Sequence, residues 1–156
     1  MGETVNRLYN QNLGSDSAIK THKVLSHKLD LSWKLAEWRQ NLPTSLKMMI
    51  SLELQQENNL PPLEILRMRI FLTLRYLNVQ ILILRPVLLK FLDFKLGSDH
   101  EEHELALLRS SGFCVLQECS TACMEEINMI DTVLRPAKTY EATTLHGAWW
   151  FNTYYG

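Results

Sequence analysis

Between Leu63 and Phe94 the chain reads LEILRMRIFLTLRYLNVQILILRPVLLKFLDF, the densest apolar stretch in its 156 residues. A segment of this length and composition has few available fates. A membrane span needs ~20 consecutive, mostly apolar residues. Near the centre of this stretch the longest unbroken apolar run is Ile81 to Leu84, and Arg75, Asn78 and Gln80 fall inside any window that would cross a bilayer. One central arginine costs about 2.5–3.5 kcal/mol on insertion scales. A strand is excluded by length and by the lack of alternation. The remaining solution is a helix with a narrow polar strip of Glu64, Arg67, Arg75, Asn78 and Arg85. A helix that is apolar most of the way round is enclosed by other helices, so this one is expected at the centre of an all-α, irregular multi-helix bundle.

Pro86 is expected to limit it. Proline has no amide hydrogen for the carbonyl of Leu82, its ring clashes there, and it disfavours helical dihedrals at Arg85. The pattern predicts a kink or break at Arg85–Pro86, a second short helix over about Val87 to Lys95, and an end at Gly97.

The rest of the chain supplies the neighbours. Val24, Leu31, Leu35, Trp38 and Leu42 recur at seven, four, three and four and predict a helix over Thr21–Leu42. Leu29, Trp33 and Ala36 are expected to widen its buried face, and Pro43 to end it. Residues 44–60 read as a crossing loop, closed by Pro61 and Pro62, which suit the first turn of the central helix. Ser98 and Glu101 form a capping-box pattern, followed by a helix to about Val133. Along it Leu108, Gly112, Leu116, Cys119, Cys123, Ile127, Ile130 and Leu134 keep helical spacing, and Ser110-Ser111-Gly112 is a local weak point. Arg135–Pro136 ends it, residues 137–145 read as a polar loop, and Gly147 to Tyr155 (GAWWFNTYY) reads as the start of a buried helix with no evident burial place. Residues 1–20 carry little periodicity and read as a poorly ordered or partial N-terminal segment.

Composition narrows the function. A net charge of −1 gives no overall basic field for nucleic acid. The locally basic residues 20–39 read as a solvated helix face. The opening MGETVNRLYN lacks a signal-peptide core, and Asn6 stands where a myristoylation signal needs Ser or Thr. Three cysteines do not suggest a disulfide framework and favour a reducing compartment.

Chemistry-bearing candidates are sparse. Cys119 and Cys123 are four apart with Cys114 five before, but structural zinc wants a second ligand pair, and core packing is the better reading. His100 and His103 are too close for the zinc-protease spacing, and His22, His27 and His146 are isolated. There is no nucleophile elbow, phosphate loop or dinucleotide fingerprint. Glu125 and Glu126 lie on a polar side without an apolar setting to raise a pKa. Arg67, Arg75 and Arg85 suit either ion pairs with neighbouring helices or an anion cavity, with structural pairing preferred. The residues nominate no catalytic, cofactor or metal site, and the chain is read as a non-enzyme.

The order of features does carry a resemblance. An amphipathic helix ends in Leu35-Ala36-Glu37-Trp38-Arg39-Gln40-Asn41-Leu42-Pro43, and after a linker a long apolar helix reaches Ile83-Leu84-Arg85-Pro86. A third helix carries Cys119-Ser120-Thr121-Ala122, and Trp149-Trp150-Phe151 with Tyr154-Tyr155 follows. Over residues 21–156 this resembles the middle homology region of fungal zinc-cluster transcription factors. The resemblance implies a nuclear, all-α regulatory domain without catalysis, controlling RNA polymerase II transcription. It makes Trp38, Leu42, Pro43, Leu84, Arg85 and Pro86 scaffold residues of the family motif. The family binds DNA through a six-cysteine binuclear zinc cluster, and the three cysteines here, all in one predicted helix, do not match it. Zinc and DNA binding are therefore expected in a part outside this chain, which reads as a fragment whose bundle is incomplete. Its expected partners are the rest of its own factor or a paralogue by helix packing, a possible small-molecule effector, and no membrane. The alternative reading is a stand-alone helical ligand-binding or adaptor protein.

Overall fold

The structure, a computed structural model, describes residues 21–55, 60–95 and 102–134. These form α1 (Thr21–Gln40), a 3-10 turn (Thr44–Leu46), α2 (Ser51–Gln55), α3 (Leu63–Lys95) and α4 (Glu102–Leu134), with no strand among the described residues. The expected all-α bundle around a central helix is therefore what forms. The expectations for residues 1–20, Gly97, the Ser98 capping box, His100, Arg135–Pro136 and the aromatic segment after Gly147 lie outside the described residues.

The central helix starts where the prolines place it. The carbonyl of Pro62 accepts from the amide of Leu66 at 2.9 Å, and the helix then runs for 33 residues, about 50 Å at 1.5 Å per residue. The break expected at Arg85–Pro86 does not occur, because α3 continues through Pro86 to Lys95. Pro86 still denies the Leu82 carbonyl its usual donor. Continuing the helix keeps Leu84 and Val87, each 1% exposed, against Val115 and Cys119. Burying side chains of this size is worth about 1.5–3 kcal/mol each, enough to offset one missing hydrogen bond.

Helices α3 and α4 pack antiparallel. Leu66, Ile70 and Leu74 near the start of α3 meet Met129 and Val133 near the end of α4, with Met49 and Leu54 closing the cluster. Helix α1 lies along the other side of α3, also antiparallel. Leu31 and Leu35 pack on Val79 and Ile83, with Trp38, Tyr76 and Leu82 at the margin, while Val24 and Leu25 reach the Leu84–Val87 cluster.

Gly112 explains the weak point in α4. A Cβ there would lie 2.4 Å from Cδ2 of Phe91, far inside the ~3.5–4.0 Å of ordinary carbon contact. The glycine lets α4 approach α3 at the ring, and this close contact offsets its helix-propensity cost of about 1 kcal/mol.

Two sequence-based faces come out differently. Leu29 and Trp33 do not widen the buried face of α1, since both are 64% exposed. Their side of α1 is turned away from α3 and α4. On α4 the predicted single stripe divides in two. Of its residues Gly112 and Cys119 are buried, on one face with Val115, Ala122, Met129 and Val133, Cys123 and Ile130 are half-buried, and Leu116, Ile127 and Leu134 are exposed, on another face with Phe113 and Met124. Both faces are apolar, so spacing alone merged them.

Helix α3 over Leu63–Leu92 is long and apolar enough to cross a membrane by length and composition. It also contributes to all three apolar clusters, packing on α4 in the first, on α1 in the second and on both in the third.

Candidate functional site

The most elaborately built feature is the crossing between α1 and α3, where the sequence suggested only a loop. Helix α2 has five residues, far too few to hold itself by helix propagation. It is held by its neighbours instead. The amide of Ser51 donates to Glu125 Oε1 at 2.5 Å, and Ser51 Oγ donates to Glu125 Oε2 at 3.0 Å. A carboxylate at the first turn of a helix satisfies an orphan amide and suits the positive end of the dipole. Gln55 Nε2 donates to Thr132 Oγ1 at 3.1 Å, so both ends of α2 are tied to α4.

The segment before α2 is tied to α3. The amide of Met49 donates to the buried Thr73 Oγ1 at 3.2 Å, and that hydroxyl donates to the Arg69 carbonyl at 2.8 Å. Arg69 Nε donates to the Lys47 carbonyl at 2.5 Å, and its Nη2 lies 3.8 Å from Glu53 Oε2. Arg69, Thr73 and Glu125 are thus the polar anchors of this crossing. Arg69 and Thr73 carry no local sequence signal of this role, because their partners are 22 and 24 residues away.

The residues singled out by the family motif do not converge on one site. Trp38 and Leu42 are half-buried, and Pro43 is exposed. Leu84 is in the core, Pro86 is half-buried, and Arg85 is exposed. Among the other strip arginines, Arg75 lies over the Phe71 ring of its own helix, 5.6 Å from the centroid.

Between α1, α3 and α4 there is an open cleft of about 460 Å³, lined by Arg39, Tyr76, Gln80, Gln117, Glu118 and Glu125 among others. The Arg39 guanidinium sits 5.5 Å from the Tyr76 ring centroid. Lys28 Nζ bridges α1 to α4 through Glu118 Oε2 at 3.0 Å. The cleft offers mixed charge and amide groups, and on its wall the Cys114 thiol donates to Glu118 Oε1 at 3.7 Å.

Cys119 is buried in the apolar cluster with Leu84, Val87 and Val115, and Cys123 packs against it, as expected for small hydrophobes. Burial pushes the Cys119 thiol up, and the neighbouring Cys123 adds to the shift. Cys114 is exposed. Among the described residues no three His, Cys, Asp or Glu side chains gather as a metal would require.

The chain is similar to Transcription factor FBD3 of Gibberella moniliformis (strain M3125 / FGSC 7600), with 27% identity over 150 residues. The match covers 94% of this chain and 19% of that protein, so the chain spans about a fifth of the length of its relative. No family model matches the chain. No solved structure matches it. The chain thus has distant homology to a small part of a fungal transcription factor.

Proposed function

We propose that the chain is part of the middle homology region of a fungal zinc-cluster transcription factor, working in the nucleus and without catalysis. In this reading residues 21–156 are a partial helical regulatory domain, and residues 1–20 lead into it. The observation that carries the reading is the match to a transcription factor along nearly the whole chain. Zinc and DNA are held by a cluster elsewhere in the factor. This part controls that module by helix packing against the rest of the factor or a paralogue, and the cleft beside Arg39 and Tyr76 is where a small effector would bind. Trp38, Leu42, Pro43, Leu84, Arg85 and Pro86 serve as scaffold. Sequencing the transcript on both sides tests the reading. A six-cysteine cluster upstream and further apolar helices downstream are expected, and a frame closed on both sides without them overturns it.

A second reading, a stand-alone helical ligand-binding or adaptor protein, is favoured by the same cleft. It predicts that the 156-residue chain alone is monodisperse and melts cooperatively only slightly below its ligand-bound form.

A further inference from the structure

The second apolar face of α4 points to an occupant within the chain. Phe113, Leu116, Met124, Ile127 and Leu134 are all exposed, Ile127 to 58% and Phe113 to 70%. Ser120 and Asp131 lie on the same line and are also exposed. Numbered from Phe113, these positions follow steps of three and four, so they form one continuous stripe along the helix. It lies roughly a third of a turn from the stripe that packs on α3. A stripe of this length on a helix whose other apolar side is already used marks a contact surface.

The sequence beyond α4 supplies a segment of matching character. Residues 145–155 read LHGAWWFNTYY, with five aromatic side chains and no Asp, Glu, Lys or Arg. This composition has little reason to face water. The geometry also fits. The described part of α4 ends at Leu134, and residues 135–144 separate it from Leu145. Ten residues reach ~33–36 Å when extended. As a helix, residues 145–155 would be ~16 Å long, and the distance along α4 from Leu134 back to Met124 is ~15 Å. The linker therefore has ample reach to return the segment antiparallel along Met124, Ile127 and Leu134. The exposed Leu89 and Leu92 of α3 are a poorer match. They lie at the end of α3 that packs on Gly112 and Val115, and Gly112 is ~33 Å along α4 from Leu134.

We propose that residues 145–155 dock on the Met124–Ile127–Leu134 face of α4 and complete the bundle on that side. The inference rests on this surface and the adjoining sequence, and it is independent of any role in transcription. The segment without an evident burial place and the stripe without a cover answer each other.

Hydrogen exchange read by mass spectrometry on the full 156-residue chain tests the contact. Peptides from residues 145–155 are expected to be protected. Met124→Asp with Ile127→Asp is expected to lower that protection about tenfold or more, while peptides from Leu66 to Ile83 keep theirs. Met124→Ser with Ile127→Ser gives the same pattern more mildly, and it decides the matter if the aspartate pair also opens α3. An unprotected segment, or protection that neither pair changes, overturns the proposal. So does protection that appears only with dimer formation on raising the concentration, because the occupant is then a second copy.

Discussion

Replacing Glu125 by alanine removes the side chain that caps the start of α2. Its two carboxylate oxygens accept from the Ser51 amide and hydroxyl. Ser51 is 6% exposed, so its amide has little access to replacement water. Hydrogen bonds to charged groups contribute about 1.5–3 kcal/mol, and an orphaned buried donor costs about 1–3 kcal/mol. Glu125 is only half-buried, which lowers both figures. We expect Glu125→Ala to cost about 2–3 kcal/mol and Glu125→Gln, which keeps one acceptor oxygen, about 1 kcal/mol. Ser51→Ala deletes only the hydroxyl contact and should cost about 1 kcal/mol. The double variant should cost less than the sum, with a coupling of about 1 kcal/mol. Urea denaturation followed by tryptophan fluorescence measures all four proteins. The reasoning is refuted if Glu125→Ala stays within about 0.5 kcal/mol of the parent, the range of an ordinary surface change. It is refuted equally if the two single losses simply add.

Ile70 is fully buried between α3 and α4, so Ile70→Ala should lower stability by about 2–5 kcal/mol in the same assay. Pro86→Ala should raise stability by about 1–3 kcal/mol, because it returns an amide hydrogen to the Leu82 carbonyl inside a helix that already continues there; a loss of stability would show that the ring packing matters more. Alkylation mapped by mass spectrometry should modify exposed Cys114 first and buried Cys119 last. The raised Cys119 pKa means the folded state retains a proton that the unfolded chain has already lost. Its contribution is therefore full below the ordinary thiol range and declines as pH rises through it. Cys119→Ala should flatten the alkaline decline, and an unchanged slope would contradict the assignment.

Much of the architecture was legible because it depends on short-range periodicity. Leu31 and Leu35 on α1, and Leu66, Ile70 and Leu74 on α3, repeat at helical steps and are buried. What was not legible depends on which of two apolar faces finds a neighbour. Leu116 and Cys119 were placed on one stripe of α4, yet Leu116 is exposed and Cys119 buried. A hydrophobic residue carries no mark of the side on which its partner lies. Pro86 departs from the sequence expectation for the opposite reason. A local rule predicted a break, and tertiary packing of Leu84 and Val87 overrode it. The crossing at residues 47–55 looks like a loop in the sequence because its anchors, Arg69, Thr73 and Glu125, belong to distant helices.

The uncovered surface also bears on what the chain does. Among the described residues, exposed apolar side chains include Leu29 and Trp33 on α1, Leu89 and Leu92 on α3, the stripe on α4, and Ile50, Leu52 and Met68. Residues 145–155 are long enough to cover part of the α4 stripe, which leaves the faces on α1 and α3. Leu29 and Trp33 are one turn apart on the outer side of α1, and a pair of that size wants a partner helix more than it wants water. In the proposed transcription-factor reading, those two faces are where the remaining helices of the factor would pack. This separates the role of Trp33 from that of Trp38. Trp38 packs against the Leu31–Ile83 cluster and belongs to this chain's own stability, whereas Trp33 is exposed and in that reading meets the factor's other helices.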